Sequence, residues 1–92
     1  MKTIELLNKK YELVRNDKDC FNIDEVRDKV TDYFEEYDYI FGDYAYDKVR
    51  LKGYYDTNNK KANEINNIQN LEDYISNYCS YGARTFLLKK IK

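Results

Sequence analysis

Near the C-terminal end, Thr85-Phe86-Leu87-Leu88-Lys89-Lys90-Ile91 carries apolar side chains at consecutive positions. Successive side chains of a strand point to opposite faces, so a run this dense belongs inside a sheet, with both faces covered. The other strands and the covering helices have to come from the rest of the chain. Residues 3–7 and 11–15 are short mixed runs separated by the turn-like Asn8-Lys9-Lys10, a pattern that predicts a hairpin. Val26, Val30, Tyr33, Phe34 and Tyr37 then recur on one face of a helical wheel. Asn22 stands at the N-cap of this first helix, with Asp24 and Glu25 in the first turn.

Tyr39-Ile40-Phe41-Gly42 and Val49-Arg50-Leu51-Lys52-Gly53-Tyr54 read as two further strands, with residues 43–47 connecting them and 56–60 forming a loop. A second helix is predicted from Leu71, Tyr74, Ile75 and Tyr78 at i, i+3, i+4 and i+7, capped by Asn70 and ended by Gly82. The order is β-β-α-β-β-α-β. This is an α+β fold, expected as a mixed sheet with two helices packed on it.

Pro is absent and Gly occurs only at positions 42, 53 and 82, so no linker divides the chain and residues 1–92 read as one domain. Hydrophobic residues make up 42% of the chain and charged residues 36%, which is globular rather than disordered composition. Histidine is missing, which removes the residue most used for acid/base work and metal ligation near neutral pH. Cys20 and Cys79 lack a Cys or His at ligand spacing, so reduced, partly buried thiols are expected rather than a disulfide or zinc site. Neither cofactor nor metal is expected. The first residues lack a signal-peptide pattern and no run reaches membrane-span length, which predicts a cytoplasmic protein with no membrane partner.

The formal charge is −1, so there is no global field to hold phosphate backbones or anionic membranes. Charge is nevertheless polarised: residues 1–47 hold seven Lys+Arg against thirteen Asp+Glu, and residues 48–92 hold nine against four. Much of this is accounted for by a solvated acidic helix face and by bases on strand edges. Strand parity adds a sharper reading, because it places Lys48, Arg50, Lys52 and Tyr54 on one face and Val49, Leu51 and Tyr55 on the other. Asp43, Tyr44 and Tyr46 precede them and extend the candidate binding surface. Such an aromatic and basic face suits a protein partner; the alternative is weak single-stranded nucleic-acid binding by stacking and phosphate contact.

Catalysis has little support. Asp38, Asp43 and Asp47 flank Gly42 and Arg50, but their spacing matches no catalytic or metal motif, and Asp-rich turns commonly bond their own backbone. No phosphate loop, dinucleotide fingerprint or nucleophile elbow is present. A non-enzymatic protein is expected, without catalytic residues. Tyr33, Tyr37, Tyr74 and Tyr78 fall on the helix stripes and read as core, whereas Tyr39, Tyr44, Tyr46, Tyr54, Tyr55 and Tyr81 cluster around strands and turns, where exposed rings would suit a protein-binding hot spot; covering the core is the alternative for Tyr54.

The segment from Tyr37 to Tyr55 resembles the signature of the YutD-like family of small Firmicute proteins, in which the pattern K-Y-D-Y-I-x-G-D-W-G-Y-x-x-L-R-L-K-G-F recurs. Cys20-Phe21-Asn22 resembles the F-N before that family's first helix, and Leu71 to Gly82 resembles its L-x-D-Y-L-x-E-Y-C-N-F-G. The resemblance covers nearly the whole chain. It implies an α+β fold and no established biochemical activity. Tyr44-Ala45 stands where the family pattern has Trp-Gly, so a site needing an indole N–H or a glycine backbone there would be altered. Ala83 stands where the family often has a second Cys, which argues against a paired-cysteine role.

The first helix stripe generates a test. Phe34→Ala should cost roughly 3–5 kcal/mol through lost transfer energy and a residual cavity. Its neighbour Glu35→Ala should stay within about 0.5 kcal/mol. Urea denaturation of both variants measures the difference, and equal effects would show the apolar face to be misassigned.

Overall fold

The computed structural model describes residues 2–45, 48–79 and 83–91, excluding the side chain at position 45. Strands β1 (Lys2–Leu6) and β2 (Lys9–Asn16) form the expected hairpin. Its turn is Leu7-Asn8, both with positive φ of 51° and 64°, one step earlier than the Asn8-Lys9-Lys10 cluster implied. Two consecutive left-handed residues match the right-handed twist of the flanking strands, and asparagine tolerates that region well. The helix α1 (Ile23–Arg27) follows, then β3 (Tyr39–Ala45), β4 (Lys48–Tyr54), α2 (Leu71–Tyr78) and β5 (Thr85–Lys90). The order is the expected one, although β3 runs further than its apolar core and takes in residues 43–45. Gly82, expected to end α2, lies outside the described residues, as do Tyr46, Asp47 and Tyr81.

The sheet order is β1-β2-β5-β3-β4, and every ladder is antiparallel. The expectation of a mixed sheet is corrected, and the topology explains why. The segment through α1 joins β2 to β3, and that through α2 joins β4 to β5; each pair runs in one direction. In both pairs one strand is inserted between the two, so parallel strands never become neighbours. The one parallel contact among the described residues is an isolated bridge between Tyr55 and Asn67.

Both faces of β5 are buried from Thr85 to Leu88, as its composition requires. Phe86 and Leu88 join Ile4, Leu6, Tyr11, Ile40 and Val49 beneath Val26, Val30 and Phe34. Leu87 faces the other way and joins Phe41 and Tyr54 beneath Leu71, with Tyr74 and Ile75 packed against them. Each helix thus covers its own side of the sheet.

The first helix is much shorter than its stripe. Asn22 caps it as expected, its side chain accepting from the backbone N–H of Asp24 and Glu25. The helix stops at Arg27, the chain becomes extended at Thr31, and a 3₁₀ turn occupies Asp32–Phe34. Adjacent β-branched Val30 and Thr31 weaken the helix locally. The break also lets the aromatic residues reach different places: Phe34 enters the core, Tyr37 stacks on Tyr55 with ring centroids 4.7 Å apart, and Tyr33 is left 64% exposed. Tyr33 is therefore not the core residue its spacing implied.

Two glycines serve as seats for rings. Gly42 on β3 lies opposite Phe86 on β5, and a Cβ built on it would fall within the Phe86 ring; one built on Gly53 would fall within the ring of Tyr37. Phe86 is fully buried, while Tyr37 is only half-buried. Overpacking in a closed core costs about 1–3 kcal/mol. Gly42→Ala should therefore lower the denaturant midpoint substantially, and Gly53→Ala less, because Tyr37 has room to swing outward. Equal shifts would show that Phe86 is not held as tightly as its burial indicates.

Candidate functional site

Strand parity survives in the structure. Arg50, Lys52 and Tyr54 share the α2 side of the sheet, while Val49 and Leu51 pack on the α1 side. What the sequence did not show is how far α2 covers that face. Tyr54 is fully buried, its hydroxyl has no hydrogen-bond partner, and burial raises its pKa. It is a core residue rather than a surface contact.

Tyr44 is on the opposite face, opposite Val49 in the ladder. Its hydroxyl donates to the Cys20 carbonyl at 2.9 Å, and the Arg84 guanidinium lies 4.8 Å from its ring centroid. Tyr44 and Tyr54 therefore cannot form one surface. Tyr55, another ring of the same cluster in the sequence, is buried. Tyr46 lies outside the described residues, and Lys48 is exposed at the start of β4.

Asp43, Arg50 and Lys52, three polar members of the expected surface, are committed internally. Asp43 is buried and takes two hydrogen bonds from Arg50, from Nε at 3.1 Å and from Nη2 at 2.5 Å. The Cys79 thiol, just past the end of α2, donates to the same carboxylate at 3.3 Å. Arg15 on β2 reaches Glu72 on α2 at 2.8 Å, so α2 is tied to the sheet near both ends. The Lys52 ammonium lies 3.9 Å from the Tyr54 ring centroid and 4.9 Å from that of Tyr74, and donates to the Ile65 carbonyl at 2.6 Å. Burial lowers its pKa, and ring faces and a carbonyl take the place of the water it has lost.

The three aspartates do not assemble. Asp38, at the start of β3, accepts from the Asp56 backbone N–H at 2.8 Å and from the Asn59 side chain at 3.0 Å, which closes the 56–59 loop. Asp43 sits near the other end of the strand, and Asp47 lies outside the described residues. Among the described residues, no group of three or more Cys, Asp or Glu side chains is placed to hold a metal ion. The two thiols are in different clusters, on opposite sides of the sheet.

A second feature on the α2 side escaped the sequence reading. Between α2 and the segment around residues 64–70 runs a groove of about 520 Å³, with Lys52 and Tyr74 in its lining. It is also lined by Ile65 and Tyr78, which are 74% and 71% exposed. Tyr78 falls on the helical stripe and was expected in the core. The helix is only eight residues long, and its last turn carries Tyr78 out over the groove, stacked on Tyr74 at 5.2 Å. The one available signal was Ile65, a lone apolar residue in the polar run Asn63-Glu64-Ile65-Asn66-Asn67.

A family model described as "Putative antitoxin YutD-like" matches residues 5–89. The chain belongs to the YutD-like family. A Bacillus subtilis (strain 168) protein named "Putative antitoxin YutD" is 42% identical over 89 residues, covering 97% of this chain and 98% of that one. The solution NMR structure of protein yutD from B. subtilis superposes with a TM-score of 0.82 at 40% identity, covering 100% of this chain and 84% of that one. The YutD-like resemblance read from the Tyr37–Tyr55 signature is therefore confirmed, together with the α+β fold. The family's description is not that of an enzyme. Among the described residues, no helix is long and apolar enough to cross a membrane.

The Asp43 site has a measurable consequence. Burial, and next the hydrogen bond to Asp43, push the Cys79 thiol from its ordinary value near 9 up to about 11. Because the folded value is the higher one, this contribution to stability is complete below about pH 9 and is lost as pH rises through about 11. At pH 8 the thiolate fraction should be about a hundredfold lower than in the unfolded chain. In a Cys20→Ser variant, iodoacetamide should therefore alkylate native Cys79 about a hundredfold more slowly than the urea-unfolded protein. Asp43→Asn should speed the native reaction, and equal native and unfolded rates would contradict the assignment.

Proposed function

We propose that this chain is a non-enzymatic protein-binding module that works by occupying a partner protein through the groove beside α2. The observation that carries this reading is the pair Ile65 and Tyr78, both largely exposed and both lining one groove. Single exposed apolar residues are ordinary, whereas an apolar pair beside a concavity is the usual form of a binding patch. Arg50, 54% exposed, lies two residues along β4 from Lys52 on the same face and extends the patch, with Lys48 beyond it.

Two further points support the reading. The B. subtilis relative carries the name "Putative antitoxin YutD", and countering a toxin by binding it needs no catalytic group. Asp43 is engaged by Arg50 and Cys79, and Asp38 by the 56–59 loop. A cytoplasmic location accords with free rather than paired cysteines. Lys52 and Arg50 are held by Tyr54, Tyr74 and Asp43, which favours a protein partner over the nucleic-acid alternative.

Affinity capture from native lysate tests this, using wild type, Ile65→Ala/Tyr78→Ala and Tyr44→Ala. The double variant should lose a partner protein by at least about tenfold, because truncating buried anchors typically costs 1–2 kcal/mol or more each. Tyr44→Ala should retain it. Identical partners from all three proteins, each shown folded by circular dichroism, would remove the groove from consideration. Binding only of an unstructured oligonucleotide, with a log–log salt slope near about −2 for three phosphate contacts, would replace the reading altogether.

A further inference from the structure

The groove's charges are arranged unevenly, and this bears on what kind of partner it takes. Among the described residues Lys52 is the only cation in its lining, and that ammonium is turned inward to two ring faces and a carbonyl. Glu64 and Asp73 also line the groove. Among the described residues, neither carboxylate makes an ion pair or a side-chain hydrogen bond, whereas Glu72, next along α2, is held by Arg15. Tyr78 adds a largely exposed ring at the same place. An aromatic face carries negative potential, and a cation above it gains most when partly desolvated.

We infer that the groove docks a basic segment of a partner protein, with an arginine or lysine side chain laid across Ile65 and its charged head held by the Tyr78 ring and the Glu64 and Asp73 carboxylates. This rests on the reading of the groove as a partner site and adds the chemistry of its occupant. Arginine fits better than lysine, since its planar guanidinium stacks on a ring while its N–H groups fork toward carboxylates. The long aliphatic stem of either residue suits the apolar wall at Ile65. An acidic segment would bring like charge against two uncompensated carboxylates, and the inward-turned Lys52 would have to give up its ring contacts to receive it. Lys52 over Tyr54 and Tyr74 is this chain's own example of the contact inferred for its partner.

The test uses the full chain and an unbiased probe. A random dodecapeptide library is selected against the wild-type protein, with folded Glu64→Gln/Asp73→Asn as the counter-selecting variant. Enriched peptides should carry arginine or lysine beside apolar residues, and their affinity should fall with added salt. The double variant should weaken a chosen peptide about tenfold and Tyr78→Ala several-fold, and citrulline in place of the peptide's arginine should have a similar effect to the double variant. Amide shifts in ¹⁵N spectra should centre on residues 64–65 and 73–78. Acidic or uncharged peptides, binding that the double variant leaves intact, shifts elsewhere, or no enrichment at all would each overturn the inference, as would an oligonucleotide as the sole ligand. Lysate capture separates the two levels. A protein partner lost with Ile65→Ala/Tyr78→Ala but kept by Glu64→Gln/Asp73→Asn leaves the groove standing and removes the cationic anchor.

Discussion

The structure depends on the insertion of β5 between β2 and β3. Each of the two hairpins, β1-β2 and β3-β4, has local partners but an open inner edge, and a lone hairpin is at best marginal in water. β5 closes both inner edges at once, pairing with β2 from Asn16 to Tyr11 and with β3 from Tyr39 to Asp43. Its alternate side chains supply the centre of each apolar layer, Phe86 and Leu88 on one side and Leu87 on the other. The most distant pairings in the chain therefore hold the local ones together. Glycine at position 42 belongs to the same device: with no side chain there, the Phe86 ring occupies the space a Cβ would take.

That central strand also determines the character of the α2 face. With Leu87 and Phe41 apolar and Thr85 and Asp43 polar, the face divides along its length. At the polar end Asp43 gathers Arg50 and Cys79, and Thr85 donates to Asp17, which also takes Arg15. At the apolar end Tyr54 and Tyr74 form a floor on which Lys52 rests. Charged groups on this face are mostly satisfied within the molecule. The exposed remainder, Ile65 and Tyr78 with Glu64 and Asp73 nearby, stands out because its neighbours are already engaged.

Much of the fold was legible in the sequence because it is written in local periodicity. The interior position of β5 followed from its unbroken apolar run, the Asn22 cap from a side chain that accepts two backbone N–H groups, and the parity of Arg50 and Lys52 from strand alternation. Tyr37 and Tyr74 pack against the core as their stripes imply, but other tyrosines depart from the pattern. Tyr33 and Tyr78, on helical stripes, are exposed, while Tyr54 and Tyr55, in the strand signature, are buried. A stripe shows which positions share a face only while the helix continues; α1 ends at Arg27, and α2 is too short to keep Tyr78 over the sheet. The candidate site suffered from the same limit. Alternation established that Arg50, Lys52 and Tyr54 share a face, but not that a helix from residues 71–78 would lie across it.

From sequence alone came the element order and the place of β5, since each follows from residue types and their spacing within one segment, and the family, through the likeness of several stretches to its signature. Tertiary structure alone decided the antiparallel sheet, the partners of Asp43 and Lys52, and the groove beside α2. Strand neighbours are chosen by crossovers that span the chain, and the exposure of a side chain depends on which distant element comes to cover it. Asp43 satisfies its charge with an arginine seven residues away, and Lys52 lies over the ring of Tyr74, twenty-two residues away. No local pattern records that separation.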